Sequence, residues 1–425
     1  MSPRHAVSRR ALRRSPARHA HSPRRHPVMR TAALALTAVV AFGGTSAATA
    51  YARLQGNIES ADVEHLLGAE RPPEPTPDPD DPNAGTPVNI LVMGSDTREG
   101  NDSVASDEVA GQRSDTTIVM HVSADRSRVE LVSIPRDSLV DIPECERSDG
   151  SSSGPQPNTM FNAAFQTGGQ NGSVTDAAAC TQRTVEQITG VRIHHFVVVD
   201  MSGFIDMVDA IGGVPMCIPQ DMRSRKAKLD ITAGEHVLDG RTALAFARAR
   251  TGEGLGDGSD TGRIGRQQEL LAATARTVLQ KNVLTDVPEL IRFLNATTRS
   301  LTVSSSLANI PDMAGLAYSL RSVPSGNITF MTIPFGAAPG NAARVVWTDE
   351  ADDIWARMAA DEPIVPVDEP AVTDPADGGE GTEGAGTEGT EEPTTPTSEP
   401  TTTSEPKKAG VDPFSAEDNT GCGSA

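Results

Sequence analysis

An α/β layered domain with a mixed, partly antiparallel central sheet is what this sequence predicts. Short β-rich runs and helical stretches interleave from residue 88 to about 360. One adjacent pair of runs is close enough to form a hairpin, which supplies the antiparallel part. No internal repeat points to a solenoid or propeller.

The elements follow in order. Residues 31–52 (TAALALTAVVAF and on to ATAYA) hold no charge and lie between Arg30 and Arg53. Twenty apolar residues in a helix span a bilayer core of about 30 Å. Nine Arg and no acid precede this stretch. Such a flank predicts a cytoplasmic amino terminus and an extracytoplasmic remainder. Ala48-Thr49-Ala50 also fits a cleavage site, so a signal peptide is the competing reading. Either way the rest of the chain lies outside the cytoplasm. Residues 53–87 are read as a Pro-rich acidic stalk, with 69–87 extended.

VNILVMG at 88–94 is a short apolar run ending in Gly, hence a buried strand. Residues 116–123 and 128–134 are β-rich and separated by four turn-forming residues, hence the hairpin. Helices are expected at 175–189, 201–211, 242–249, 261–281, near 286–298 and over 306–321. Strands are expected at 195–199, 214–218 and 328–333. Beyond 360 the chain turns to Pro, Thr, Glu and Gly, a composition too poor in apolar residues to order itself, so 361–425 is read as a disordered tail.

The formal charge of −20 over 425 residues is uneven. Residues 1–30 carry +9 and 361–425 carry −14, leaving −15 in between. That distribution excludes a uniformly basic nucleic-acid binder. The four Cys all follow the apolar stretch. Cys145 and Cys180 flank a Gly/Ser-rich insertion where a disulfide would act as a staple. Cys217, among apolar neighbours in VPMCIP, reads as a buried thiol or as a partner of Cys145 or Cys180. Their spacing fits no zinc site.

Charged residues recur at strand ends, where α/β folds build sites. Asp96 and Arg98 follow the first strand. Arg113 and Asp115 precede the second, and Arg136 and Asp137 follow the third. Arg248 and Arg250 close a helix, while Asp260, Arg263, Arg266 and Gln267 open a long one. Arginines in this number suit a phosphoanhydride, which they bind bidentately. Two carboxylates are enough for Mg²⁺ bridging phosphates, and a helix start favours an anion. Any single Arg–Asp pair would be a surface salt bridge; it is the five groups together that suggest a site. No Walker loop, H-E-x-x-H or G-x-S-x-G is present.

NILVMGSDTR, RSDTTIVMHVSADRSRVELVSIPRDS, NTMFNAAFQTGG, VDAIGGVPMCIP, LDGRTALAFARAR and GRIGRQQ, in this order, resemble the LytR-CpsA-Psr family over residues 88–281 and on to about 350. The resemblance implies a three-layer αβα domain at 88–360, anchored by one transmembrane helix. It implies a phosphotransferase that moves a wall glycopolymer from a polyprenyl-pyrophosphate carrier to a peptidoglycan sugar hydroxyl. By the same resemblance Asp96 and Asp115 are Mg²⁺ ligands. Arg98, Arg113, Arg136, Arg248, Arg250, Arg263, Arg266 and Gln267 are the pyrophosphate set, and Asp137 or Asp260 orients the acceptor. Two insertions, at 99–112 and between the cysteines, depart from the family pattern. Phe161, Phe165, Phe204, Ile205, Val208, Leu244 and Phe246 are candidates for the lipid tunnel as well as for ordinary core. A carrier hydrolase and a non-catalytic envelope scaffold or regulator are the alternatives.

Overall fold

The computed structural model describes residues 27–75, 85–95, 114–256, 258, 260–280, 287–298, 301–366, 409–418 and 422. The chain divides into two units, Met1–Arg53 and Leu54–Ala425. Helix α1 (Pro27–Asn57) supplies the described part of the first, and its residues from Leu54 onward belong to the second. From Val28 to Asn57 it is long and apolar enough to cross a membrane. Its Thr37 and Thr49 hydroxyls donate to carbonyls one turn back, at 2.8 Å each, which removes the cost of these polar groups in an apolar medium.

The second unit is built on one eight-stranded sheet. In chain order its strands are β1 (Glu59–Ala61), β2 (Val88–Ser95), β3 (Ser114–Val122), β4 (Val129–Ile134), then β7 (His195–Asp200), β12 (Leu301–Ser304), β13 (Ile328–Thr332) and β16 (Phe414–Ser415). Spatially they run β1-β12-β7-β2-β3-β4-β13-β16. The β2–β3–β4 meander is antiparallel, whereas β7 joins β2 and β13 joins β4 in parallel. The sheet is therefore mixed. Between β4 and β7 come β5 (Leu139–Ile142) paired with β6 (Gln156–Met160), α2 (Ala163–Gly168) and α3 (Val174–Thr189). Helix α4 (Met201–Ala210), β8 (Val214–Ile218), β9 (Met222–Ser224), β10 (Leu229–Ile231), β11 (Gly234–Leu238), α5 (Gly240–Arg248), α6 (Asp260–Gln280) and α7 (Val287–Thr298) follow β7. Helix α8 (Ile310–Leu320), β14 (Phe335–Ala338), β15 (Asn341–Trp347) and α9 (Asp349–Ala359) complete the fold.

Strand alternation divides the core into layers. Leu91, Met93, Val119, Val132, Phe196 and Met331 join Phe161, Phe165, Ala177 and Trp355 on the α2/α3/α9 face. Val122, Val129 and Phe330 meet Ala272 of α6 on the other. The three-layer αβα order is thus present. Buried Gln268 fixes α6 to the sheet, donating to Ser133 Oγ at 3.0 Å and Thr332 Oγ1 at 3.2 Å.

Two stretches read from sequence as unfolded contain folded pieces. Within 53–87, β1 lies parallel to β12, and Leu66 and Leu67 are buried in the main core. Arg71, also in that stretch, chelates buried Glu186 at 2.6 and 2.8 Å. Within 361–425, Ala409–Asp418 returns to the sheet. Phe414 stacks on Phe330 with 5.4 Å between ring centroids, and the Gly410 N–H donates to Gln268. A Cβ on Gly265 would strike the Ala409 carbonyl, so this helical glycine admits the returning backbone. The Cys145–Cys180 disulfide closes the insertion loop over a Cα–Cα distance of 5.3 Å. Cys217 is not a free thiol; it pairs with Cys422. The stretch read as a helix over 306–321 begins at Ile310, and β12 precedes it.

Candidate active site

The site lies where β3 begins, β4 ends and α6 starts. Antiparallel pairing sets Thr117 opposite Ile134, and two further residues along the same register bring Asp115 opposite Arg136. The Arg136 Nη1 donates to Asp115 Oδ1 at 2.6 Å. Arg136 Nε lies 3.7 Å from Asp137 Oδ2 and 3.6 Å from Asp260 Oδ1. Asp260 opens α6, and Arg263 follows one turn on. The Arg263 side chain is buried. Its Nη2 donates to the Asp115 carbonyl at 3.0 Å and lies 2.6 Å from Asp260 Oδ1. Arg250, just past α5, places Nη2 3.9 Å from the same oxygen.

Three guanidiniums thus surround one carboxylate, and none of them is saturated. The Nε atoms of Arg136, Arg250 and Arg263 are buried without a hydrogen-bond partner, as are both oxygens of Asp260. The 2.6 Å approach of Arg263 to Asp260 is a charge contact that lacks hydrogen-bond direction. Buried polar groups are nearly always paired, so orphans gathered in one place mark a site shaped for an absent group.

The electrostatics separate the two main carboxylates. Burial would raise the Asp115 carboxyl, but Arg263 and Arg136 outweigh it and hold it below its usual range. At Asp260 burial wins, with help from Asp137, and the carboxyl is pushed up despite Arg263 and Arg136. Burial lowers Arg263. At Arg136 it is outweighed by Asp115 and Asp260, which raise the group. The same arginines thus leave the two carboxyls shifted in opposite directions, Asp115 toward its charged form and Asp260 toward its protonated one.

The remaining predicted residues divide. Gln267 donates to the Ala247 carbonyl at 3.2 Å, and buried Arg266 donates to the Ala249 carbonyl. Both spend these donors on the end of α5, holding Arg250 in place behind the site. Arg248 instead lines a separate cavity of about 270 Å³ with Ile205, Leu244, Lys226, Lys228 and Arg241. Asp96, Arg98 and Arg113, and the insertion at 99–112, lie outside the described residues. Asp96 directly follows Ser95, the register partner of Ser114, and Asp115 directly follows Ser114. The seven tunnel candidates do not line one channel. Phe161 and Phe165 are buried on the α2/α3/α9 face, whereas Phe204, Val208 and Phe246 pack together around α4–α6.

One charged neighbour escapes a reading of motifs. Arg344 on β15 reaches to 3.8 Å from Asp137 Oδ1, because the Val345 N–H donates to the Asp137 carbonyl at 3.3 Å. Its β-branched and aromatic RVVW context signals a strand but carries no sign of a site.

One carboxylate at the site keeps room for a further partner. Asp115 is 39% exposed at the mouth of the site, and only its Oδ1 is shared with Arg136. A hard oxygen donor with a free lone-pair side suits Mg²⁺, which needs one or two carboxylates plus phosphate and water. Among the described residues no group of three or more His, Cys, Asp or Glu forms a cage.

Comparison with known proteins finds relatives of this chain. Residues 50–360 match the LytR_cpsA_psr family. The chain is 32% identical over 279 residues to the probable cell wall biosynthesis protein LcpB of Corynebacterium glutamicum, covering 63% of this chain and 59% of that one. It is 31% identical over 209 residues to the polyisoprenyl-teichoic acid–peptidoglycan teichoic acid transferase TagU of Enterococcus faecalis, covering 49% and 59%. The chain thus spans less than two thirds of the length of these relatives. The solved LytR-Csp2A-Psr enzyme from Actinomyces oris superposes with a TM-score of 0.48 at 22% identity, over 68% of this chain and 97% of that one.

Proposed function

Since the chain belongs to the LytR-CpsA-Psr family, we propose that its arginine–carboxylate cluster transfers a cell-wall glycopolymer from a polyprenyl-pyrophosphate carrier to a peptidoglycan sugar hydroxyl. The observation that carries the reading is the convergence of orphaned Nε groups from Arg136, Arg250 and Arg263 on the orphaned carboxylate of Asp260. The arginines bind the pyrophosphate oxygens, replacing contacts now made to Asp115 and Asp260. The acceptor hydroxyl attacks the phosphorus next to the polymer, forming a new P–O bond, and polyprenyl phosphate leaves. Asp260 takes the hydroxyl proton, a role suited to its raised carboxyl. Arg136 and Arg263, fixed in advance by the strand register and the start of α6, offset the charge on the departing phosphate.

Mg²⁺ bound by Asp115 with Asp96 would neutralise phosphate charge. Helix α1 is the anchor, with the amino terminus cytoplasmic and the domain outside, and it keeps the domain close to its lipid-linked donor. Purified full-length protein mixed with lipid-linked donor and peptidoglycan is the test. Polymer bound to peptidoglycan, lost with Arg136→Ala, is expected. Release of free polymer alone would mean water is the acceptor and the protein is a carrier hydrolase. Unchanged wall attachment in an Arg136→Ala strain would leave only the scaffold reading.

A further inference from the structure

Two helices of the domain have eleven residues, α8 and α9, and they treat solvent oppositely. Helix α9 buries Ala351, Ile354, Trp355 and Met358 and turns Asp352 and Asp353 outward, as a water-facing helix does. Helix α8 (IPDMAGLAYSL) buries no residue fully. Its half-buried side is Ile310, Met313, Leu316 and Leu320. Its exposed side is apolar too: Pro311, Ala314, Gly315, Ala317 and Tyr318, with Asp312 the one charge in the helix. Tyr318 is 63% exposed, and the Arg321 guanidinium caps its ring at 3.4 Å. A helix with apolar residues on both sides expects something other than water on the side left open.

The start of α8 says what that is. The Ile310 N–H donates to Gln55 Oε1 at 3.3 Å, and Gln55 Nε2 donates to the Ala308 carbonyl at 2.7 Å. Gln55 therefore satisfies the open amino end of α8. It is also three residues beyond Ala52, the last of the uncharged stretch. Three residues span at most about 10 Å, and α8 itself is about 16 Å long. Charge points the same way, because residues 31–360 carry −15 and an anionic leaflet repels an acidic surface. The near-neutral face of α8 avoids that repulsion. Tyr beside Arg is the pairing that settles at headgroup depth.

We infer that α8 lies in the headgroup layer of the leaflet from which α1 emerges, and that its Ala314–Tyr318 face is a membrane-docking surface that fixes the orientation of the domain on the bilayer. The inference rests on α1 spanning the membrane and is independent of the chemistry at Arg136.

The test uses the full chain, both disulfides intact, in phosphatidylethanolamine/phosphatidylglycerol liposomes. An environment-sensitive dye is placed at Ala317→Cys and, as a water-facing control, at Asp353→Cys. Headgroup-depth nitroxide lipids are expected to quench the first severalfold more than the second. The further pair Ala314→Glu and Tyr318→Glu is expected to remove that difference without changing the circular dichroism spectrum. Equal quenching at both sites overturns the proposal, as does quenching that survives the paired variant. Failure of α1 to insert, read by protease protection, also overturns it. So does a dye that is wet in liposomes but shielded in native envelopes, which would point to a protein partner. Polymer transfer is assayed separately on the same preparation, so a failed transferase reading and a failed docking reading are distinguishable.

Discussion

The cluster around Arg71 and the cluster around Asp260 use the same chemistry to opposite ends. Arg71 donates from Nε and Nη2 to buried Glu186, again from Nη2 to the Ile193 carbonyl, and from Nη1 to Glu64. Glu186 also accepts from the Ile193 N–H at 3.0 Å. Neither Arg71 nor Glu186 has an orphaned buried atom. This network is complete and holds residue 71 against the end of α3. At Asp260 three guanidiniums crowd one carboxylate, yet five of their buried polar atoms find no hydrogen bond. A saturated ion network serves the fold, and an unsaturated one is kept for something that arrives.

The largest effect expected from this contrast is on transfer. Arg136→Ala removes a preorganised cation from the developing charge, and the transfer rate is expected to fall by about 10²–10³-fold. The denaturation midpoint should change far less, because Arg136 is already incompletely paired in the folded state and its main partner Asp115 is half exposed. Arg71→Ala is expected to do the reverse. Stripping one partner from a buried pair costs about 3–5 kcal/mol, read from urea unfolding, while activity per folded molecule is retained. If both variants lost activity and stability together, the distinction between the two clusters would collapse.

A smaller effect separates the two carboxylates. An acceptor base must be ionised, so activity falls as pH drops through the Asp260 pKa. That carboxyl is raised by burial, so the acid limb should lie above the range of an ordinary Asp. Arg263 is the leading charge opposing the rise. Arg263→Gln should therefore move the limb further upward, and the rate lost should be greater at acidic than at alkaline pH. Asp115, held low by Arg263 and Arg136, should stay ionised across that window. A limb at the usual Asp value would remove Asp260 from the role.

Much of this was legible in the chain, for physical reasons that differ by element. The β2–β3–β4 meander announces itself because its residues alternate between two buried faces. Asp115 and Arg136 are predictable neighbours once that hairpin is accepted, since register alone brings them together. Strand β1 has three residues, and β16 two, which is too short for any period to show. Their order comes from pairing with strands far away in sequence. Cys217 and Cys422 are 205 residues apart, and no local pattern links them. Arg266 and Gln267 share the GRIGRQQ motif with Arg263, yet each also donates to a carbonyl at the end of α5, a contact that only the packing of α5 on α6 creates.

Arg344 carries the smallest prediction and the most informative one, since only the fold brings it to the site. It lies 3.8 Å from Asp137, with its side chain 30% exposed. A half-buried pair this loosely spaced contributes no more than a surface pair, about 0.2–1 kcal/mol, so Arg344→Ala should cost no more than about fivefold in transfer. The loss should appear in KM for the acceptor if Asp137 and Arg344 form the rim where peptidoglycan enters, and in kcat if Arg344 acts on the phosphate. Asp137→Asn should then make Arg344→Ala nearly silent, because each acts through the other. Additive losses would place Arg344 in the same class as Arg136, touching the substrate directly, and would move the boundary between the saturated and unsaturated parts of the domain out to β15.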